Sequence, residues 1–104
     1  MECRKKRTYT ETEQRTLRRT TAWKKKSKRI KEEARYLCQV CEDMDVYTYD
    51  HLEVHHIRKL SDYPEGLLDD ENLVCLCTRH HKMADAGEIS MIYLQELARK
   101  RGQR

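Results

Sequence analysis

The residues best suited to chemistry are two pairs of adjacent histidines. His55 and His56 end the short stretch LEVHH, and His80 and His81 end the stretch CTRHH. A buried imidazole has two ring nitrogens that need partners, so burial of two adjacent histidines is unfavourable unless they have a functional role. It suits a site in which one ring holds a metal ion and its neighbour moves a proton.

Cysteines on either side of the first histidine pair predict a structural zinc site. Cys38 and Cys41 form a C-x-x-C turn that can present two thiolates to one tetrahedral ion. Cys77 and His80 provide a second half-site, unless Cys77 is a core thiol and His80 an ordinary surface residue. A redox role for the C-x-x-C is disfavoured, because a helix rather than a strand precedes it. Cys75 is the alternative third thiolate, but its apolar neighbours favour a place in the core.

A second metal site follows if His80 binds zinc, because His81 is then free. Adjacent side chains point about 100° apart on a helix that begins at Thr78, so His80 and His81 do not serve the same ion. One ring from each histidine pair can then face a different metal.

The elements that must position these residues follow from periodicity and turn signals. An apolar face at spacings of four and three predicts a helix through Trp23, Ser27, Ile30, Ala34 and Leu37. The stretch VYTYDHLEVHH predicts two short strands around a turn at Asp50-His51, and SDYPEGLLDDEN predicts a loop. Further helices are predicted from Thr78 to Gly87 and after the capping residue Ser90. The expected order is helix, hairpin, loop, helix, helix.

The composition indicates one small domain with a thin core. The chain has 104 residues, of which 38% are hydrophobic, with one Trp and no Phe. A chain of this size often needs a metal or disulfides for stability. No stretch of about 18 apolar residues predicts a membrane-spanning helix, and no apolar segment follows the basic N-terminus as in a secretory signal. A reducing compartment is therefore expected, in which the five cysteines are not paired as disulfides.

Charge is distributed unevenly along the chain. Residues 1–35 carry 14 Lys or Arg and 5 Glu, a net +9, whereas residues 36–104 carry 8 Lys or Arg and 13 Asp or Glu, a net −5. A basic segment on an acidic domain is typical of an arm or helix that meets a polyanion. The alternative is a solvated tail.

Taken together, the motifs CQVC, LEVHHI and ENLVCLCTRHH resemble the HNH endonuclease family, in the zinc-containing form of small bacteriophage nucleases. The resemblance implies an α+β fold, namely a small ββα-metal (His-Me finger) domain with an N-terminal basic helix, a structural zinc knuckle and a C-terminal helix. Residues 1–22 are then expected to be a basic arm, either disordered or helical. Residues 23–104 are expected to be the nuclease domain, with its motif core at 38–86.

The resemblance also implies roles by position. His56 matches the general base, His55 and His81 match ligands of a catalytic divalent ion, and Asn72 matches the residue that braces the site. Cys38, Cys41 and Cys77 match structural zinc ligands. His55 replaces the Asp of many relatives, which widens the choice of catalytic ion to Mg²⁺, Mn²⁺, Ni²⁺ or Zn²⁺. His80 replaces a fourth Cys, and Asp85 is either a further ligand or a solvated helix charge.

The chemistry of these residue types agrees with the resemblance. A neutral imidazole with an ordinary pKa of about 6.5 can take the proton of an attacking water, and a divalent ion can polarise the phosphate. We therefore predict a metal-dependent endonuclease that hydrolyses or nicks DNA with low sequence specificity. The predicted phosphate contacts are Lys24, Lys25, Lys26, Lys28, Arg29, Arg58 and Lys82.

Two other classes of function remain open at this point. One is a zinc-stapled nucleic-acid-binding module without catalysis. The other is an adaptor whose acidic C-terminal part meets a partner such as a phage packaging (terminase) complex. Both would survive the loss of His56, whereas a nuclease would not. In each case the expected location is the cytoplasm of a bacterial or phage-infected host cell, with no membrane contact.

Overall fold

The fold is built from five helices and one two-stranded sheet within residues 8–103, the part of the chain that the computed structural model describes. The first seven residues of the predicted arm lie outside this part. Two short 3₁₀ turns, Pro64–Leu68 and Asp70–Asn72, lie between the strands. The elements are α1 (Glu11–Arg18), α2 (Thr21–Glu33), α3 (Gln39–Asp43), β1 (Leu52–His56), β2 (Leu73–Cys77), α4 (Thr78–Asp85) and α5 (Met91–Gly102).

The helices begin where capping residues predict them. The side chain of Thr20 accepts the Trp23 backbone N–H at the start of α2, and Ser90 caps α5 in the same way. The helices predicted near Trp23, at Thr78 and after Ser90 are confirmed. The first of them ends earlier than its apolar pattern, because Arg35 and Tyr36 take positive φ angles of 58° and 56°.

The hairpin predicted in VYTYDHLEVHH is wrong. Only its second half is a strand, and β1 pairs antiparallel with β2, with Leu52 opposite Cys77 and His56 opposite Leu73. Residues 46–49 instead follow the C-x-x-C turn, where the Cys38 N–H donates to the Thr48 carbonyl at 2.9 Å. The physical reason is burial: all five residues of β2 are buried, whereas most of residues 46–49 are exposed. Pairing β1 with β2 therefore buries the larger apolar surface.

The free edge of β2 is bonded by side chains rather than by a further strand in the described part of the chain. The Gln39 side-chain oxygen accepts the Cys75 N–H at 3.0 Å, and Arg101 donates to the Leu73 carbonyl. Arg101 is only 1% exposed and also pairs with Glu33. These contacts fasten α3 and α5 to the sheet and compensate the burial of the guanidinium.

The core has two parts because neighbouring residues of β2 face opposite sides of the sheet. Val74 and Leu76 pack with α5 and with the cysteine knuckle, which is formed by Cys38, Cys41 and Cys77. Leu73 and Cys75 pack beneath α2. Cys75 is therefore a core residue, as predicted, and burial raises the pKa of its thiol to about 11. None of the described helices has the length and apolar character needed to cross a bilayer.

Candidate active site

A first cluster gathers the four predicted zinc ligands, all of them buried. The sulfurs of Cys41 and Cys77 are 3.9 Å apart, and Nδ1 of His80 lies 3.3 Å and 3.4 Å from them and 3.6 Å from the Cys38 sulfur. Around a tetrahedral zinc, these distances would be about 3.8 Å between sulfurs and about 3.5 Å between sulfur and nitrogen. The Cys₃His set therefore suits one structural metal ion.

The ends of three elements place these ligands. Cys38 caps α3, where its sulfur accepts the Cys41 N–H at 3.5 Å. Cys77 ends β2, and His80 lies in the first turn of α4. Burial raises the pKa of the Cys38 thiol to about 12. A bound cation would therefore favour the thiolate form of Cys38 that metal binding requires.

A second cluster joins His55 from β1 to His81 and Asp85 from α4, with their ligand atoms within 4.8 Å of one another. Nδ1 of His55 lies 3.4 Å from the Asp85 carboxylate, and Nε2 of His81 lies 3.7 Å from it. The two rings meet edge to face, with centroids 5.1 Å apart. Asp85 lies four residues after His81 on the same face of α4. That spacing is what indicates in the sequence that Asp85 could reach the same metal ion.

Glu53 fixes the orientation of His81 in this cluster. Its carboxylate accepts a hydrogen bond from Nδ1 of His81, which leaves the lone pair on Nε2, the nitrogen facing Asp85. Glu53 was not among the residues predicted from the sequence to belong to the site. Its signal was its place two residues before His55, which puts both side chains on the same face of β1.

His56 lies on the other side of β1. Its ring packs on Trp23 with centroids 4.6 Å apart, and its Nε2–H donates to the Leu67 carbonyl at 3.3 Å. Because a carbonyl only accepts, the neutral ring keeps its lone pair on Nδ1.

Both rings of the pair are neutral at physiological pH. Burial is the largest cause that lowers the pKa of His55 and of His56 to about 4. The positive charge of Arg18 lowers the pKa of His56 further. Although adjacent residues of a strand point apart, β1 ends at His56, and both rings line one cleft of about 550 Å³ together with His81 and Asp85.

Asn72 braces the loop that follows the histidine pair. Its side-chain oxygen accepts the Arg58 N–H at 2.7 Å, and its amide donates to the carbonyls of Arg58 and Gly66, each at 3.2 Å. The approach to Gly66 is so close that a Cβ atom there would lie 2.5 Å from the Asn72 amide and from the Tyr63 ring. This position therefore requires glycine.

The predicted phosphate contacts lie outside the cleft that holds His56. Lys26 pairs with Asp70, and Arg29 pairs with Glu33 at 3.1 Å. Arg58 lies over the Tyr63 ring, 4.1 Å from its centroid. Lys24, Lys25, Lys28 and Lys82 are exposed. The cations that line the cleft are instead Arg18, Lys31 and Lys59.

Comparison with known proteins gives two similarities. Residues 38–86 match the HNH endonuclease family, and this segment contains both clusters. The chain is also similar to a crystal structure of the HNH endonuclease of the deep-sea thermophilic bacteriophage GVE2 with a manganese ion. That similarity has 26% sequence identity and a TM-score of 0.68, and covers 74% of this chain and 83% of the other. No match to a curated protein was found.

Proposed function

We propose that the chain is a metal-dependent HNH endonuclease that hydrolyses or nicks DNA with low sequence specificity, as the match of residues 38–86 to that family and the similarity to the GVE2 enzyme support. The observation that carries the proposal is the meeting, in one cleft, of a three-ligand metal cluster and a separate neutral imidazole. His55, His81 and Asp85 form the cluster, and His56 is the separate ring.

His55, His81 and Asp85 are proposed to hold the catalytic divalent ion. Two imidazoles and one carboxylate suit Mn²⁺, Ni²⁺ or Zn²⁺ better than Mg²⁺, which prefers oxygen ligands. Manganese has the further support of the ion in the GVE2 enzyme. Three protein ligands leave coordination positions open, as catalytic sites require. When bound, the ion supplies positive charge that polarises the phosphate and favours departure of the leaving oxygen.

His56 is proposed as the general base. As the water oxygen forms its bond to phosphorus, Nδ1 takes the water proton and the phosphorus–O3′ bond breaks. The Leu67 carbonyl holds the required tautomer, and Trp23 holds the ring. The negative charge of the bound phosphate favours the imidazolium that forms. Asn72 acts at a distance from the proton, because its hydrogen bonds go to the backbone of Arg58 and Gly66.

The Cys₃His set is proposed to hold zinc in a structural role. Its four protein ligands close the coordination of a tetrahedral ion, so no position remains for substrate. The exposed cations of α2 suit contacts to phosphates, and such contacts carry no base information, which supports low specificity. Neither the fold nor the similarities support the packaging (terminase) partner considered above. The domain boundaries at 22 and 23 and the cytoplasmic location stay predictions.

A plasmid-cleavage assay tests the proposed function. Supercoiled DNA is incubated with the zinc-loaded protein and Mg²⁺, Mn²⁺, Ni²⁺ or additional Zn²⁺, with and without excess chelator. Nicked or linear product is expected with at least one of these ions and not with the chelator. Absence of product with all four ions, from a protein shown to be folded, would contradict the proposal.

A further inference from the structure

Three cations from three different segments line the cleft that holds His55 and His56. Arg18 lies in the last turn of α1, Lys31 in α2, and Lys59 in the loop after β1. Within residues 8–103, none of the three forms an ion pair with an acidic side chain. Their charges are therefore available to a ligand in the cleft.

The acidic side chains of the cleft do not neutralise these cations. Glu53 and Asp85 are the two carboxylates that line it, and both contact histidines of the metal cluster. Three cations and two carboxylates give the cleft wall a net charge of +1 before any ion binds. The wall is thus positive even though residues 36–104 are acidic as a whole.

Backbone contacts hold α1, and with it Arg18, against the cleft. The Tyr9 N–H donates to the Ser61 carbonyl at 2.8 Å, which ties the start of α1 to the loop that carries Lys59. At the other end, the Thr20 hydroxyl donates to the Leu17 carbonyl at 2.8 Å and joins α1 to α2. Arg18 is therefore placed by the fold and is not a cation on a loose arm.

We infer that Arg18, Lys31 and Lys59 form a phosphate-binding site that holds the DNA backbone against the His55–His56 pair. The inference rests on the proposed nuclease function and names the groups that hold its substrate. Guanidinium binds phosphate oxygens through paired hydrogen bonds, whereas the ammonium groups act as point charges. It follows that α1 is a wall of the active site and that the exposed cations of α2 are secondary contacts.

Salt-dependent DNA binding by matched charge variants tests this site. Arg18→Gln is compared with Arg15→Gln, which removes the same charge from an exposed position of the same helix that does not line the cleft. Both are made in a His56→Ala background, in which cleavage is expected to be slow, and binding to two unrelated duplexes is measured over a salt series. The slope of log K against log salt is negative, and each lost phosphate contact reduces its magnitude by about 0.9.

The magnitude of the slope is expected to decrease by about 0.9 for Arg18→Gln and by about 2.7 for the triple Gln variant of Arg18, Lys31 and Lys59. Arg15→Gln is expected to leave it unchanged. Arg18→Lys should restore most of the slope, because the charge returns, and a purely structural role would not predict that rescue. If Arg18→Gln is unstable, Lys59→Gln tests the same site from another segment.

Equal slopes for Arg18→Gln and Arg15→Gln in folded proteins would overturn the inference. The result is separable from a failure of the proposed function. If the parent protein cleaves DNA but the two variants have equal slopes, the proposed nuclease function stands and the phosphate-binding site is rejected. If the two variants have unequal slopes but the parent protein does not cleave DNA, the phosphate-binding site stands and the proposed nuclease function is rejected.

Discussion

At the scale of single residues, the different environments of His55 and His56 follow from strand geometry. Successive side chains of a strand point to opposite faces. His55 therefore faces α4, where it meets His81 and Asp85, whereas His56 faces α2 and packs on Trp23. One ring is surrounded by other metal-binding groups and the other is not, which is why the two are proposed to do different work.

Replacing His56 by Ala is expected to reduce cleavage by about 10²- to 10⁴-fold, because the group that takes the water proton is lost. Affinity for the catalytic ion should be unchanged, since His55, His81 and Asp85 remain. Cleavage rates at saturating metal and calorimetric titration with Mn²⁺ measure the two effects. His51→Ala is the control, because His51 is exposed and belongs to neither cluster. Cleavage by His56→Ala within a few-fold of the control would rule out the general-base assignment.

Replacing Glu53 by Ala is expected to weaken binding of the catalytic ion by about 10- to 100-fold, as typical for carboxylates that orient a ligating histidine. Glu53→Gln should lose less, because its amide oxygen can still accept the hydrogen bond from His81. Calorimetric titration of the zinc-loaded protein with Mn²⁺ measures the affinity. Cleavage at saturating Mn²⁺ should recover toward the parent rate, because the bound ion still meets its three ligands.

The control for Glu53 is Glu88→Ala, which removes an exposed carboxylate that belongs to neither cluster. An Mn²⁺ affinity of Glu53→Ala within two-fold of this control would show that the contact with His81 does not position the ligand. A loss of cleavage that persists at saturating Mn²⁺ would instead give Glu53 a role beyond metal binding.

Site residues could be predicted from the sequence where their function depends on the spacing between neighbouring residues. Cys38 with Cys41, and Cys77 with His80, are spaced as ligand pairs, and the structure brings the two pairs together. Arg18 could not be predicted in the same way. Its place in the cleft depends on how α1 packs, and no spacing in the sequence relates it to His56. Two of the predicted phosphate contacts pair with acidic residues instead. Lys26 pairs with a residue that is distant in the sequence, whereas Arg29 pairs with a residue one turn later in its own helix.

At the scale of elements, helices were easier to predict than strand pairing. Helix starts depend on local signals, such as the caps at Thr20 and Ser90. The pairing of β1 joins it to residues about twenty positions later, across the loop that Asn72 braces. The β-forming residues just before β1 predicted a hairpin. Because most of them are exposed, the burial of β2 outweighs their local β propensity.

Gly66→Ala is expected to destabilise the protein by about 1–3 kcal/mol, the usual range for forcing extra atoms into a packed site. The new Cβ would collide with Asn72 and Tyr63, so the brace of the loop after the histidine pair must shift. Reduced cleavage should accompany the loss of stability. Urea denaturation and the plasmid assay measure the two effects.

Gly102→Ala is the matched control for this change. Gly102 lies at the end of α5, and an added Cβ there meets no atom within 4 Å. Because Ala favours helix over Gly by up to about 1 kcal/mol, the control should be neutral or slightly more stable. If both variants unfold at the same urea concentration, the close approach of Asn72 to Gly66 is not a constraint on the fold.

At the scale of the whole molecule, the cysteine knuckle is part of the core rather than an addition to it. Cys38, Cys41 and Cys77 belong to the same buried cluster as Val74 and Leu97, which joins β2 to α5. On the other side of the sheet, α2 is tied to α5 through Glu33 and Arg101. The small apolar content of the chain predicted the need for such a metal, because a thin core supplies little stability by itself.

Loss of one knuckle ligand is therefore expected to unfold the domain as a whole. Cys41→Ala removes a thiolate from the Cys₃His set, and binding of a structural zinc contributes directly to the free energy of folding. Cys75→Ala is the matched control, since it removes a buried thiol of the same core from outside the set and should cost only about 1 kcal/mol. Circular dichroism during thermal unfolding measures stability, and thiolate-to-metal absorption after Co²⁺ substitution reports this site alone, because His55, His81 and Asp85 offer no sulfur. We expect that absorption in the parent and in Cys75→Ala, and its loss together with cooperative unfolding in Cys41→Ala. A stable Cys41→Ala protein that keeps the absorption of the parent would show that the knuckle does not hold a structural metal.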